Sequence, residues 1–326
     1  MDTHLLDHYQ RSARNFFAAN PMDRLVDKRR DQHWLATQIS AESTRFVPIW
    51  RMQNFFTDTE SAVPRLLTPR ELPQPLSPDA MTLLGQLEGI TYFALDTEVD
   101  QEDAPPAWLL KHGAFRDLRA VGLAVDPTLG AILAYARAMV YWQRRHRFCG
   151  DCGSPTRSTE GGFVRTCTNA DCGKQIFPRT DPAIIVLVRS GDRCLLARQP
   201  SWPAGRYSVI AGFVEPGESL EDAVKREVME EAGIAVGQIQ YHSSQPWPFP
   251  SSLMLGFMAD ATTTEFHFID DELEEARWLT REQIAAELKN GTLKLPPGLS
   301  ISHRLIESWF DEGDVGKLSN LVSNNW

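Results

Sequence analysis

The chain has 326 residues, 42% of them hydrophobic and 23% charged, with a formal net charge of −10 at pH 7. That length is enough for two domains and a small module, each with its own core, and the composition is that of an ordinary soluble globular protein. The acidity excludes nonspecific nucleic-acid binding as the main purpose, since that relies on a basic field, but it leaves room for a local basic groove. The apolar runs are too short to span a bilayer, so no membrane partner is expected. The N-terminal MDTHLLDHYQRSARNFFAAN carries Asp2 and Asp7 and lacks a signal-peptide core, and the terminal SNNW is no recognised address. A cytoplasmic, reducing location is therefore expected.

Residues 1–145 read as an irregular first domain, mainly β or α+β. Arg45–Trp50 and Ile90–Leu95 have the pattern of half-buried strands, while Leu72–Pro78 and Asp100–Pro106 are loops by their proline content. His4, His8, His33 and His112 are scattered and form no catalytic constellation. A helix is predicted over residues 128–148, where Leu129, Leu133, Ala136 and Val140 recur at helical spacing, and its basic end (Arg144, Arg145, His146, Arg147) suits a helix C-terminus.

Four of the five cysteines then fall within 24 residues. Cys149 and Cys152 form one close pair and Cys167 and Cys172 another, with 14 residues between the pairs and a glycine after each (Gly153, Gly173). Such clustering speaks for a metal module and against a disulfide framework. Four thiolates fill a tetrahedral Zn²⁺ site and leave no position open for water or substrate, so residues 146–176 are expected to be a zinc ribbon with a structural ion. The second pair is spaced more widely than the usual two-residue gap.

Residues 177–312 are expected to form an α/β/α sandwich around a mixed sheet, with 313–326 as a tail. Ala183–Val188 is a continuous apolar strand, and Arg193–Arg198 pairs with it across the Gly191-Asp192 turn. Further strands are predicted over Ser251–Ala259 and Ala276–Leu279, and helices over Arg281–Leu288 and Ile301–Trp309. Cys194 belongs to the core.

Between these elements lies the acidic stretch Gly212–Ile234, GFVEPGESLEDAVKREVMEEAGI. A strand ending at Ala211 turns through Gly212–Gly217 and enters a helix capped by Ser219, with Asp222 three residues on, and Gly233 ends the helix. Leu220, Val224 and Val228 share one stripe, and Glu227 and Glu231 project from the same side or its edge. Core-facing carboxylates are costly unless paired or bound to a cation. Arg226 can serve one of Glu218, Glu227, Glu230 and Glu231; a hard divalent cation can serve the rest. Mg²⁺ or Mn²⁺ suits such oxygens together with water and substrate phosphate, which points to metal-assisted attack on a phosphoanhydride.

The segment matches the Nudix box at Gly212, Glu218, Arg226, Glu227, Val228, Glu230, Glu231, Gly233 and Ile234, nine positions without departure. Beyond the box, Gln245, Pro246, Trp247, Pro248, Phe249, Pro250, Ser251 and Ser252 form a proline-spaced segment that fixes two aromatics before a ligand arrives. Aromatic faces suit nucleobases and nicotinamide rings. This array, behind a four-cysteine ribbon, resembles the NADH pyrophosphatase family of Nudix hydrolases, the NudC-type enzymes. The resemblance is close over residues 145–310 and loose over the first domain.

The resemblance implies hydrolysis of the NAD(H) diphosphate to nicotinamide mononucleotide, reduced or oxidised, and AMP, and in bacterial members removal of NAD caps from RNA 5′ ends. It implies catalytic Mg²⁺ or Mn²⁺ on Glu227, Glu231, Glu272 and the backbone carbonyl of Ala211. It implies a substrate site at Gln245–Ser252 with Phe177 and Phe213 as stacking candidates and the Ser302 backbone nearby. Catalytic roles fall on Glu227, Glu230, Glu231 and Arg226, with Glu230 or Glu231 assisting deprotonation of water and Arg226 orienting a box carboxylate. A homodimer is also implied. This chain departs from the family at Phe177, where Tyr is frequent, and at Ser251, where Gln is frequent; neither change touches the metal chemistry. Three readings compete: an NAD(H) diphosphatase, the same site used on NAD-capped RNA, and a catalytically silent ligand-binding regulator, against which the complete box counts.

Overall fold

In the computed structural model, residues 6–57, 62–73, 77–98, 104–268 and 272–321 are described. Residues 74–76 and 100–103 of the two expected loops, Asp270 and Asp271 before Glu272, and residues 1–5 and 322–326 lie outside them. The chain forms two compact units. The first comprises Met1–Ala18, Asp181–Pro246 and Ser252–Trp326; the second comprises Ala19–Thr180 and Trp247–Ser251. Contacts therefore group three pieces differently from the sequence boundaries at 145, 176 and 312, and residues 177–180, with Phe177, go with the N-terminal region. The chain start goes with the C-terminal region, and five residues of the proline-spaced segment go with the N-terminal one.

Helix α1 (His8–Ala13) belongs to the first unit. The second unit begins with α2 (Gln32–Ser40), β1 (Arg45–Trp50), β2 (Gln53–Phe56), β3 (Met81–Leu87), β4 (Ile90–Asp96), α3 (Ala107–Leu110), β5 (Ala114–Arg116), α4 (Leu118–Val121) and α5 (Pro127–Arg145). Among the described residues its sheet runs β3-β4-β1-β2-β5, with β1 parallel to β4 and its other pairings antiparallel. Phe46, Phe55, Leu83, Phe93 and Leu95 fill its core. Asp126 caps α5 by accepting from the amides of Thr128 and Leu129, and Pro127 stands at the first helical position, where its missing N–H leaves nothing unsatisfied. Leu133, Ala136 and Val140 of the expected stripe are buried.

The ribbon follows as β6 (Thr156–Thr159), β7 (Val164–Cys167) and β8 (Gln175–Ile176), joined in that order. It is tied to α5 through Arg165, which is 4% exposed. The Arg165 guanidinium donates to Gln143 Oε1 (3.0 Å), Thr156 Oγ1 (2.9 Å) and the Thr156 carbonyl (2.6 Å), and the Gln143 amide donates in turn to the Gly162 carbonyl.

The first unit continues with β9 (Asp181–Ser190), β10 (Arg193–Arg198), β11 (Ile210–Phe213), α6 (Leu220–Ala232), β12 (Val236–Trp247), β13 (Ser252–Ala261), β14 (Glu275–Thr280), α7 (Arg281–Asn290) and α8 (Ile301–Phe310). Among the described residues the sheet order is β12-β13-β9-β10-β14, with β11 also on β9; β13 is parallel to β9, whereas β10 and β11 are antiparallel to it. The mixed sheet between helices is as expected. Alternation along β9 builds the three layers: Ile185 and Leu187 pack with Leu305, Ile306 and Trp309 of α8, while Ile184, Val186 and Val188 pack with Val224 and Val228 of α6. Burying each of those two valines contributes about 1.5–3 kcal/mol, which fixes the acidic helix against the sheet. Cys194 is wholly buried, and burial pushes its thiol well above the ordinary range.

Strand β12 departs from expectation. The sequence reading places Gln245 and Pro246 in a rigid, proline-spaced segment and predicts no strand before it, but they belong to a 12-residue strand at the sheet edge. An edge strand has a ladder on one side only, so a proline without an N–H is tolerated there.

Candidate active site

Ser219 and Asp222 form a reciprocal capping box at the start of α6, and Gly233 closes the helix at φ 69°. The cap fixes where the helix begins and hence which way its acids point. Glu231 is 6% exposed. The Glu227 side chain is 13% exposed and that of Glu230 48%. Glu227 lies against β11 so closely that a Cβ added to Gly212 would fall 1.9–2.3 Å from its carboxyl atoms. Glycine at 212 therefore lets a carboxylate rest on the strand next to Ala211, whose exposed position leaves its surroundings open to solvent.

Arg226 collects the acids. Its Nε donates to Glu218 (2.6 Å), one terminal nitrogen to Glu227 (2.8 Å) and Glu230 (2.9 Å), and the other to Glu218 (2.9 Å) and the Phe213 carbonyl (2.9 Å). These bonds and that of the Glu215 amide hold the Glu218 carboxyl down at about 2. Glu227 behaves oppositely. Burial pushes its carboxyl above the usual range, Arg226 opposes this, and the charges of Glu230 and Glu272 add to the rise. Glu272 is exposed, yet near enough to act on Glu227 electrostatically. Three carboxylates around one guanidinium leave an excess of negative charge, to which Glu272 adds through its effect on Glu227, and such oxygen donors suit a hard divalent cation.

The four cysteines also come together, their sulfurs all within 4.8 Å of one another. Cys149 and Cys172 are 3.8 Å apart and Cys152 and Cys167 3.4 Å; four sulfurs at about 2.3 Å from one Zn²⁺ in a tetrahedron would be spaced near ~3.8 Å. The wide second spacing is taken up by Asn169, whose carbonyl accepts from the amides of Cys172 (3.1 Å) and Gly173 (2.9 Å). Hydrogen bonds from Ser154 hold the Cys152 thiol down at about 6, so a thiolate is available at neutral pH.

Three family models match in sequence order: an NADH pyrophosphatase-like rudimentary NUDIX domain over residues 43–142, an NADH pyrophosphatase zinc ribbon over 144–177, and a NUDIX domain over 178–297. The human NAD-capped RNA hydrolase NUDT12 is 34% identical over 344 aligned residues, covering 90% of this chain and 73% of the relative. The chain belongs to the Nudix hydrolases of the NADH pyrophosphatase type. Among other members, the NAD-capped RNA hydrolase NudC of Stutzerimonas stutzeri is 41% identical, covering 69% of this chain and 75% of the relative. NudC of Mycobacterium bovis is 44% identical, covering 59% and 64%. A solved NUDIX hydrolase from Nitrosomonas europaea is 21% identical with a TM-score of 0.42, covering 51% of this chain and 91% of that one.

The remaining candidates of this Nudix hydrolase occupy varied settings. Phe177 and Phe213 present exposed rings, 45% and 59% accessible. Ser302 is buried, and its hydroxyl shares a 2.8 Å hydrogen bond with Ser208. Gln245 is fully buried; its amide donates to the carbonyls of Phe16 (3.1 Å) and Leu299 (2.8 Å), and its oxygen accepts from the Ile301 amide (2.8 Å). Its side chain is thus committed to pinning the end of β12. Pro248 is buried, Pro246 and Pro250 are exposed, and Trp247, Phe249, Ser251 and Ser252 are half-buried. The Trp247 and Phe249 rings meet edge to face at 5.1 Å. Sequence reasoning missed Arg119 and Arg137, whose guanidiniums lie 5.8 and 4.7 Å from the Phe249 ring centre; nothing local to either arginine signals a partner more than 100 residues away.

Proposed function

We propose that this chain hydrolyses the diphosphate of NAD(H) to nicotinamide mononucleotide, reduced or oxidised, and AMP, using Mg²⁺ or Mn²⁺. The observation that carries the reading is the carboxylate set on α6, with Glu227 pressed against β11 at Gly212 and more negative charge than Arg226 neutralises. Glu227, Glu231, Glu272 and the Ala211 carbonyl would hold the metal, which when bound neutralises the diphosphate and acidifies water. Glu218 fixes Arg226, and Arg226 in turn keeps the Glu227 and Glu230 carboxylates in place. Glu230, half exposed, or Glu231 accepts the proton of the attacking water. Trp247, Phe249, Phe177 and Phe213 take the rings of the dinucleotide by stacking, while Gln245 pins the end of β12 through Leu299 and Ile301.

The names of the relatives favour a second reading, in which the same bond is cut in the NAD cap of an RNA 5′ end. Both substrates need one metal cluster and one stacked ring. We assign the protein to the cytoplasm, where free cysteines are retained, and to a homodimer, which sedimentation measurement would reveal as twice the chain mass. Turnover of NADH, NAD⁺, ADP-ribose and NAD-capped RNA, measured side by side with Mg²⁺ or Mn²⁺, tests the activity. Cleavage of NADH ahead of ADP-ribose is expected, and the absence of turnover on all four would overturn the assignment in favour of a silent regulator.

A further inference from the structure

The five residues Trp247–Ser251 belong to the unit otherwise made by the N-terminal region, and one side chain of that region meets them directly. Arg137, in the middle of α5, donates from Nε to the Pro248 carbonyl at 2.7 Å. Its guanidinium carbon also stands 4.7 Å from the centre of the Phe249 ring, within range of a cation–π contact. The Phe249 amide donates to the Trp247 carbonyl at 2.7 Å, closing a tight turn around the same proline. Arg137 is flanked on its helix by the buried residues Ala136, Leu133 and Val140, so its stem has a fixed origin. Partial burial draws its pKa below the ordinary arginine value, against the attraction of Asp117; a guanidinium remains charged there, and a charged donor makes a stronger bond to a carbonyl than a neutral one.

We propose that Arg137 is a positioning residue for substrate binding: it fixes the backbone at Pro248 and the ring plane at Phe249. The rudimentary domain thereby supplies, through α5, the support on which the aromatic segment is held. The proposal rests on the reading that this segment takes a ring of the dinucleotide. A ring held in place before binding saves the ordering cost that a mobile one incurs on association, so loss of Arg137 weakens binding and leaves the bond-breaking step alone.

The test is a double-mutant cycle on the full-length protein with NADH as substrate and saturating Mg²⁺, using Arg137→Met, Arg137→Lys, Phe249→Ala and the combination of Arg137→Met with Phe249→Ala. Arg137→Met is expected to raise KM about tenfold with kcat within about twofold. Arg137→Lys, which keeps a charged donor near the ring, is expected to restore most of the loss. In the Phe249→Ala background the arginine change should add less than about twofold, because coupled residues are not additive. If Phe249→Ala raises KM and neither arginine variant does, the positioning role is overturned while the substrate reading stands. If Phe249→Ala leaves KM unchanged, the substrate reading itself falls. Fully additive effects would also overturn the coupling. Should the methionine variant fail to fold, Arg137→Gln, which also removes the charge, takes its place in the cycle: unaltered KM together with unaltered NADH binding by a Glu231→Gln, Arg137→Gln protein relative to Glu231→Gln alone refutes the proposal.

Discussion

Glu231 is carried almost wholly out of water, on the helix whose Arg226 binds Glu218, Glu227 and Glu230. A carboxylate in that position contributes nothing to packing that an amide of the same shape would not, so its value lies in charge. Glu231→Gln is expected to lower kcat by about 10²–10⁴-fold; unchanged turnover would remove Glu231 from the catalytic set. His242 presents the converse case. It is 6% exposed, its Nδ1 lies 2.8 Å from Ser243 Oγ, and burial, aided by the charge of Arg11, holds its pKa down at about 3. The unfolded chain protonates this imidazole near ~6.5, so it binds the extra proton between those two values. Stability from a neutral His242 is therefore intact above about 6.5 and lost as pH falls toward 3, by about 2 kcal/mol already at pH 5. Denaturant unfolding at pH 7.5 and pH 5 should show a smaller acid-induced loss in His242→Asn than in the unaltered protein; equal losses would place the sensitivity elsewhere.

At the scale of elements, β11 and α6 act as one part. The strand supplies Gly212, the helix supplies Glu227, and the space a Cβ would need is held by that carboxyl group. The obstruction is the far end of a flexible side chain, so Gly212→Ala should fold and move Glu227 aside. The expected result is a melting temperature within a few degrees of the original and a raised Mg²⁺ or Mn²⁺ concentration for half-maximal activity. An unchanged metal requirement would show that Glu227 does not need its place on the strand. This part was legible in the sequence because its signals are local: a Ser219–Asp222 box at one end, Gly233 at the other, and apolar residues at helical spacing between them. The alternation of β9 was equally plain as an apolar run. Strand β12 was not, since GQIQYHSSQP is polar, carries a proline and lies at an edge where burial imposes no clean alternation. The commitment of Gln245 to three backbone groups was hidden for a different reason: its partners at Phe16, Leu299 and Ile301 are distant in sequence and main-chain in kind.

For the whole chain, linear order and physical grouping differ. Residues up to Ala18 join the unit that carries the carboxylates: Asn15 donates to Ser243 Oγ and the Ser244 carbonyl, and Ser12 accepts from the Ser244 amide. In exchange, the aromatic turn at Trp247–Ser251 joins the unit that carries the ribbon. Within that second unit a continuous run of polar contacts leads from the cysteine hairpin to the turn. On the ribbon strands Arg165 donates to Thr156 and to Gln143 of α5, and six residues earlier on the same helix Arg137 holds Pro248. A structural zinc site contributes its binding free energy to folding, so its removal should be felt along this run and not only at the sulfurs. Protein stripped of zinc by a chelator, then dialysed and assayed with fresh Mg²⁺, is expected to melt earlier and to show a raised KM for NADH, with kcat falling less than KM rises because the carboxylates belong to the other unit. The same pattern should appear in Cys167→Ser, which needs no chelator and so separates zinc loss from loss of the catalytic metal. Full thermal stability after stripping would contradict a structural zinc, whereas a collapse of kcat at unchanged KM would mean that the ribbon supports the carboxylates and not the aromatic turn.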